Sequence, residues 1–280
     1  MDRRPAIQIQ LQDQAAHRDL ALAAVTLVGL SRFVEPPLVW LVAGLLLGAM
    51  VLGALQVLAD EAAPSEAAAG VAIEALILPA VAAVGCLGAI RLVPAGWWLA
   101  PALGITWLLV RRTLALEARI QHAPRGVSAD DRTAVLVMIL IVAFIGFAGV
   151  AALVPGGLAG AGAAVGPLLE SDLVVLAAGD GVLAGLLGYR AFALRGGSLV
   201  GALGAAVTYL AAIAIGAAAL RAMEIPRLLG PALLVLAFYL WDALIGAGSS
   251  RRREPRFIWQ TGLLAVLGIL VVAWNLMLRG

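Results

Sequence analysis

Charged residues are scarce in this sequence, and their scarcity decides the class of protein. Of the 280 residues, 13% are charged and 63% are hydrophobic, and the mean hydropathy is +1.03. Soluble domains average about 25% charged and about 45–50% apolar residues. A water-soluble domain is therefore excluded. The composition predicts an all-α fold, a polytopic transmembrane helical bundle.

Several residue types that support binding chemistry are also rare. Lysine is absent, all 19 basic residues are arginine, and the formal net charge is +2, which is too small to indicate a nucleic-acid partner. The single cysteine, Cys86, permits neither an intramolecular disulfide nor a metal cluster. The two histidines, His17 and His122, are far apart in the sequence. We therefore expect no metal, no cofactor and no nucleic acid.

Long apolar runs account for most of the chain. A helix needs about 20 apolar residues to cross a bilayer, and nine runs approach this length: Leu20–Val34, Leu38–Ala59, Val71–Ile90, Val93–Val110, Thr133–Val154, Leu173–Tyr189, Ser198–Leu220, Leu228–Gly248 and Phe257–Leu278. No remaining stretch reaches the roughly 50 residues of a small soluble domain. We predict a polar cytoplasmic segment over residues 1–19 and one transmembrane domain with short loops over residues 20–280.

The run Leu20–Val34 leaves two topologies open. It would form a helix of only about 22 Å, and it could span the bilayer, insert halfway or belong to a signal peptide, although no A-x-A cleavage pattern follows it. With nine spans, 14 arginines lie on one side and 5 on the other; with eight, the split is 11 to 8. Because cytoplasmic loops are enriched in arginine, we predict nine spans, with eight as the alternative. The amino terminus is then in the cytoplasm and the carboxyl terminus outside, in a prokaryotic cell membrane.

Glycine pairs at helical spacing predict where helices pack closely. Three such pairs occur: Gly44 with Gly48, Gly181 with Gly185, and Gly197 with Gly201. Small residues let backbones approach each other where lipid provides no hydrophobic incentive to associate. We interpret the three pairs as packing positions rather than binding sites.

Three acidic residues fall within the apolar runs, where ionisable groups are costly and often functional. Asp180 lies near the middle of its run, whereas Glu74 and Asp242 lie near the predicted cytoplasmic ends of theirs. Other polar side chains fall at similar inner levels: Gln56, Tyr189 and Arg190.

We predict that these six side chains form a polar cavity open to the cytoplasm. In this hypothesis Arg190 contacts an anionic group of a substrate, and Asp180 accepts a proton. Asp180 and Arg190 cannot pair with each other, because ten helical residues separate them by about 15 Å. The alternative is structural: each acid is neutral, hydrogen-bonded to a neighbouring helix, or hydrated near the membrane surface.

One short segment around Asp180 is similar to a known family. Gly179-Asp180-Gly181, followed by Gly188-Tyr189-Arg190 and Gly197-Ser198, resembles a segment of membrane polyprenol and phytol kinases. The resemblance covers about 20 residues of 280, and it implies CTP-dependent phosphoryl transfer. Those enzymes use a lysine near the nucleotide phosphates, and this chain has none. We therefore do not assign the chain to that family.

Three classes of function remain open, since no P-loop, His-Glu-x-x-His or Gly-x-Ser-x-Gly motif occurs. The first is a transporter or permease for a small or amphipathic solute that uses the intramembrane carboxylates. The second is a noncatalytic subunit that packs with other membrane subunits or forms a homo-oligomer. The third is a membrane-embedded enzyme that acts on a lipid headgroup through Asp180 and Arg190. The sequence favours the transporter and does not specify the solute.

Overall fold

The computed structural model of the chain is helical throughout the part that it describes. It describes residues 4–35, 38–60, 71–121, 127–154, 170–223, 225, 228–248 and 251–278. These residues contain no strand, and the all-α prediction is confirmed. Their nine α-helices are α1 Arg4–Ser31, α2 Leu38–Asp60, α3 Glu74–Ala89, α4 Leu99–Gln121, α5 Ala129–Leu153, α6 Glu170–Ala193, α7 Leu199–Ala222, α8 Leu229–Gly246 and α9 Pro255–Met277.

Eight of these helices, α2 to α9, are long and apolar enough to cross a membrane. This set makes the chain an integral membrane protein. The helix α1 is not in the set, although it has 28 residues, because its first half is polar. The prediction of nine spans, with the termini on opposite sides, stays a prediction.

The fourth helix begins later than its apolar run. The run starts at Val93, but α4 begins at Leu99 and extends past the end of the run to Gln121. The reason is a turn before the helix, where Gly96 has a φ of 123° that favours glycine. The rings of Trp97 and Trp98 stack there with centroids 3.7 Å apart. The apolar part of α4 is therefore much shorter than the run suggested.

The contacts within the chain define two compact units, residues 1–142 and residues 143–280. In the first unit, α1, α2, α3 and α4 pack against one another. In the second, α6 makes its most extensive contact with α7, while α8 packs against α7 and α9 packs against α8. The helix α5 contains the boundary between the units.

Two arginines tie α1 to α3 in the first unit. Arg32, just after α1, donates to the carbonyl oxygen of Ile90 at 2.7 Å, and Arg91 donates to the carbonyl oxygen of Val34 at 2.8 Å. Ile90 directly follows α3 and Val34 lies three residues beyond α1, so each guanidinium meets a carbonyl near the other helix's carboxyl end, where a positive charge is favourable. The carboxyl ends of α1 and α3 therefore lie at the same level.

Glycines set the close approach of α6 and α7 in the second unit. A Cβ atom at Gly181 would lie 3.0 Å from the Leu210 carbonyl oxygen, and one at Gly185 would lie 3.3 Å from that of Ala206. The packing prediction is therefore confirmed for this pair.

The other two glycine pairs do not join helices in this way. No atom lies within 4 Å of a Cβ placed at Gly44 or Gly48, so the packing prediction is wrong for this pair within the described chain. Gly197 and Gly201 lie against the ring of Phe192, near the turn between α6 and α7. Sequence spacing alone did not distinguish these cases, because spacing does not show which face of a helix a neighbour covers.

Candidate functional site

Asp180 lies in the middle of α6 and is almost completely enclosed by the second unit. It is the eleventh of 24 helical residues, about 15 Å from the start of the helix, and it is 2% exposed. Its Oδ1 atom has no hydrogen-bond partner within the described part of the chain. A buried carboxyl oxygen normally has a partner, since leaving one unpaired costs free energy. This oxygen is therefore an exception that requires an explanation.

The residues on either side of Asp180 hold it between helices. A Cβ atom at Gly179 would lie 2.9 Å from the Val150 side chain of α5, and one at Gly181 would meet Leu210 and Ala214 of α7. Because glycine has no side chain, the α7 backbone and the Val150 side chain of α5 approach the α6 backbone at this height. The Gly-Asp-Gly sequence thus places the carboxyl group inside the packing of the unit.

The side chain of Asp180 lines a small cavity in the second unit. Its volume is about 30 Å³, enough for a single water molecule. Among the lining residues only Asp180 and Arg221 are charged, and Arg221 belongs to the last turn of α7. The remaining lining residues come from the helices and from the segment that follows α7: Phe147, Ala151, Leu176, Ala217, Leu220, Ile225, Gly230, Pro231 and Leu234. The site therefore combines one carboxyl group and one guanidinium group within an otherwise apolar wall.

Asp242 belongs to a separate polar network in the same unit. Its Oδ1 accepts a hydrogen bond of 2.5 Å from the hydroxyl of Tyr209, and its Oδ2 accepts one of 2.6 Å from Arg195 Nη2. The Arg195 and Asp242 side chains are 29% and 15% exposed, whereas Tyr209 is fully buried. None of these three residues lines the Asp180 cavity. Both carboxylate oxygens of Asp242 are thus satisfied by the protein.

This network joins three helices of the second unit. Arg195 follows α6, Tyr209 lies in the middle of α7, and Asp242 is in the last turns of α8. The Arg195 guanidinium lies against Gly246, where a Cβ atom would be 2.6 Å from its Cζ. The indole of Trp241 donates to the Thr208 hydroxyl at 3.3 Å, which adds a second link between α7 and α8. The arrangement thus links the end of α6, the middle of α7 and the last turns of α8.

The other predicted site residues have different surroundings. In the first unit, Glu74 is the first residue of α3, where a negative charge favours the helix, and Gln56 is exposed on α2. In the second unit, Arg190 is buried on α6 and Tyr189 beside it is partly buried. The cavity that would unite all six side chains stays a prediction.

Sequence reasoning missed three residues that contact or accompany the predicted acids. Arg195 and Arg221 were counted only as loop arginines, although each lies at the end of a helix from which its long side chain reaches back into the unit. Tyr209 was overlooked in an apolar run. A tyrosine in the middle of a span was the available signal, because a buried hydroxyl needs a partner.

The described residues give no indication of a metal centre: no three His, Cys, Asp or Glu side chains among them lie close enough to hold an ion. Comparisons of the chain with protein-family models, curated proteins and solved structures give no match. Among the described residues, the second unit contains the buried carboxyl group and the cavity that indicate a function.

Proposed function

We propose that the protein is a proton-coupled transporter for a small or amphipathic solute, in which Asp180 binds the coupling proton. The observation that carries this proposal is that Asp180 lines a cavity and that its buried Oδ1 has no partner among the described residues. Ionisable side chains inside membrane helices commonly mark ion or proton pathways.

The size of the cavity fits a proton site better than a site for a large ligand. A volume of about 30 Å³ accommodates one water molecule. Such a water could pass a proton to or from the carboxyl group through a hydrogen bond. Arg221 lines the same cavity, and its positive charge stabilises the Asp180 carboxylate after the proton has left.

Asp242 has a different role in this proposal. Since each of its oxygens accepts a hydrogen bond from Tyr209 or Arg195, it links α8 to α7 and to the end of α6. Of the intramembrane acids, Asp180 is in this proposal the coupling carboxyl and Asp242 a structural one.

Proton movement in proteoliposomes tests this function. The purified protein is reconstituted with an internal pH-sensitive dye, and amino acids, quaternary ammonium compounds and monosaccharides are added outside in turn. We expect at least one of these solute classes to drive proton movement in the wild-type protein. Replacing Asp180→Asn should abolish the signal. The matched change Glu74→Gln, at the first residue of α3, should retain it.

Two results would count against the proposal. One is a proton signal of wild-type size in Asp180→Asn; the other is no signal above empty liposomes with any of the solutes. Elution of each variant as a single symmetric peak before reconstitution shows that loss of signal does not reflect loss of folding.

A second candidate function is that of a noncatalytic subunit that packs with other membrane subunits or with copies of itself. The helix α9 favours it. No described residue of this helix is buried, although it is 23 residues long and apolar. The mass of the particle extracted in a mild detergent distinguishes the two. A subunit would elute in a complex much larger than the 28.7 kDa chain, while a monomer that moves protons would support the transporter.

A further inference from the structure

In the first unit, α1 and α4 carry charged residues at a depth where the neighbouring helix α2 is still apolar. The side-chain contacts set the heights of three helices relative to one another. Leu103 of α4 lies beside Gly29 of α1, and Leu20 of α1 lies against Gly53 of α2. With a rise of about 1.5 Å per residue, these contacts align α1, α2 and α4 to within about one turn.

On α4 the apolar part ends early. Only 12 residues separate the start of the helix at Leu99 from Arg111, which corresponds to about 18 Å. The helix nevertheless continues through Arg112 and Arg119 to Gln121. On α1, Arg18 lies about 20 Å from the end of the helix at Ser31, level with Arg112.

At the same height, α2 presents hydrocarbon. Leu52 lies about 21 Å from the start of α2 and is 68% exposed. The exposed apolar surface continues one more turn, to Leu55. At this level the surface of α2 is therefore apolar and α4 carries two arginines, while α1 carries an exposed ion pair in which Arg18 Nε lies 3.2 Å from an Asp19 carboxylate oxygen.

The direction of the Arg111 side chain shows that it does not extend toward the nearer membrane surface. Its guanidinium carbon lies 5.1 Å from the centre of the Trp107 ring, one turn back toward the start of α4. Arginines near helix ends usually extend toward the interface to remain hydrated. The guanidinium is instead held at the depth of Trp107, and it needs a polar partner there.

We infer that Arg111 and Arg112 form a binding surface for the phosphate of an anionic phospholipid, which enters the membrane deeper beside α1 and α4 than beside α2. A phosphodiester provides the acceptors that guanidinium groups prefer. It also neutralises the positive charge, and it belongs to the lipid leaflet that surrounds the helices. The bilayer is accordingly thinner along this side of the first unit.

Depth measurements with spin labels test the inference. Cys86 is first replaced by alanine, and single cysteines are then introduced and labelled at two pairs of matched heights. In the first pair, Leu47→Cys and Leu108→Cys, both labels should be accessible to oxygen and shielded from a polar nickel reagent. In the second, Leu55→Cys should behave in the same way, whereas Ala115→Cys, one turn beyond Arg111 on α4, should be accessible to the nickel reagent. Equal depth for the labels at positions 55 and 115 would overturn the inference.

Lipid binding provides a second test. It needs no spin label, and only the two arginines under test are replaced. Phosphatidylglycerol is titrated against the detergent-solubilised protein, and bound lipid is counted by native mass spectrometry. The double variant Arg111→Gln, Arg112→Gln should bind this lipid about thirtyfold more weakly. The control Arg119→Gln, two turns further along α4, should lose far less. Equal loss in both variants, or no loss in either, would contradict a site at this depth.

Discussion

Removing one hydroxyl group from the network around Asp242 should measurably destabilise the second unit. In Tyr209→Phe the ring keeps its packing, including its contact with Phe238 at a centroid distance of 5.0 Å. The variant loses only the hydrogen bond of 2.5 Å to Asp242. The change therefore isolates a single interaction between α7 and α8.

The magnitude follows from burial and charge. A hydrogen bond to a charged group contributes about 1.5–3 kcal/mol in soluble proteins, and bonds between membrane helices average about 0.6 kcal/mol, with a maximum of about 1.7. Tyr209 is fully buried, which favours the upper part of the membrane range, but Asp242 keeps its ion pair with Arg195. We therefore expect a loss of about 1–1.5 kcal/mol in the free energy of unfolding.

Reversible unfolding in mixed micelles of dodecyl maltoside and sodium dodecyl sulfate provides the assay. The matched control is Tyr239→Phe, which removes a hydroxyl from a side chain of α8 that is 42% exposed. The control should change the free energy of unfolding by less than about 0.5 kcal/mol. If Tyr209→Phe is no less stable than this control, the network does not hold the helices together and the reasoning fails.

Two further predictions concern packing and helix ends. Gly181→Leu should disrupt the α6–α7 contact and lower the unfolding temperature of the detergent-solubilised protein by several degrees, because the new side chain would meet the Leu210 backbone. The control Gly204→Leu, where a Cβ meets nothing within 4 Å, should unfold at the wild-type temperature. Equal shifts in the two variants would argue against the contact. Arg91→Gln should lower the free energy of unfolding by about 1–2 kcal/mol, since the Val34 carbonyl loses a charged donor; a change within error in the same micelle titration would show that this pairing contributes nothing.

The class of fold could be predicted from the sequence because it depends on composition and run length. A chain with 13% charged residues and repeated runs near 20 apolar residues has few alternatives to membrane helices. Helix ends were harder to predict. The run Val93–Val110 contains Pro94 and Gly96, two turn signals that a count of apolar residues ignores, and α4 accordingly begins only at Leu99.

The candidate site was only partly accessible from the sequence. Asp180 was identified because an acid in the middle of an apolar run is costly in a membrane. The cavity beside Asp180 and the partners of Asp242 were not identified, because they depend on which residues of other helices lie at the same height. Arg195 is 47 residues from Asp242 in the chain, and Tyr209 is 33 residues away. Such pairings follow from the packing of α6, α7 and α8, which no local pattern encodes.

The central claim is that the Asp180 carboxyl group takes up and releases a proton inside the membrane. Infrared difference spectra between two pH values measure this directly, because a protonated carboxyl group has its own C=O stretching band. We predict a band that changes with pH in the wild-type protein and in Glu74→Gln and that is missing in Asp180→Asn. A difference spectrum of Asp180→Asn that matches the wild type would contradict the claim.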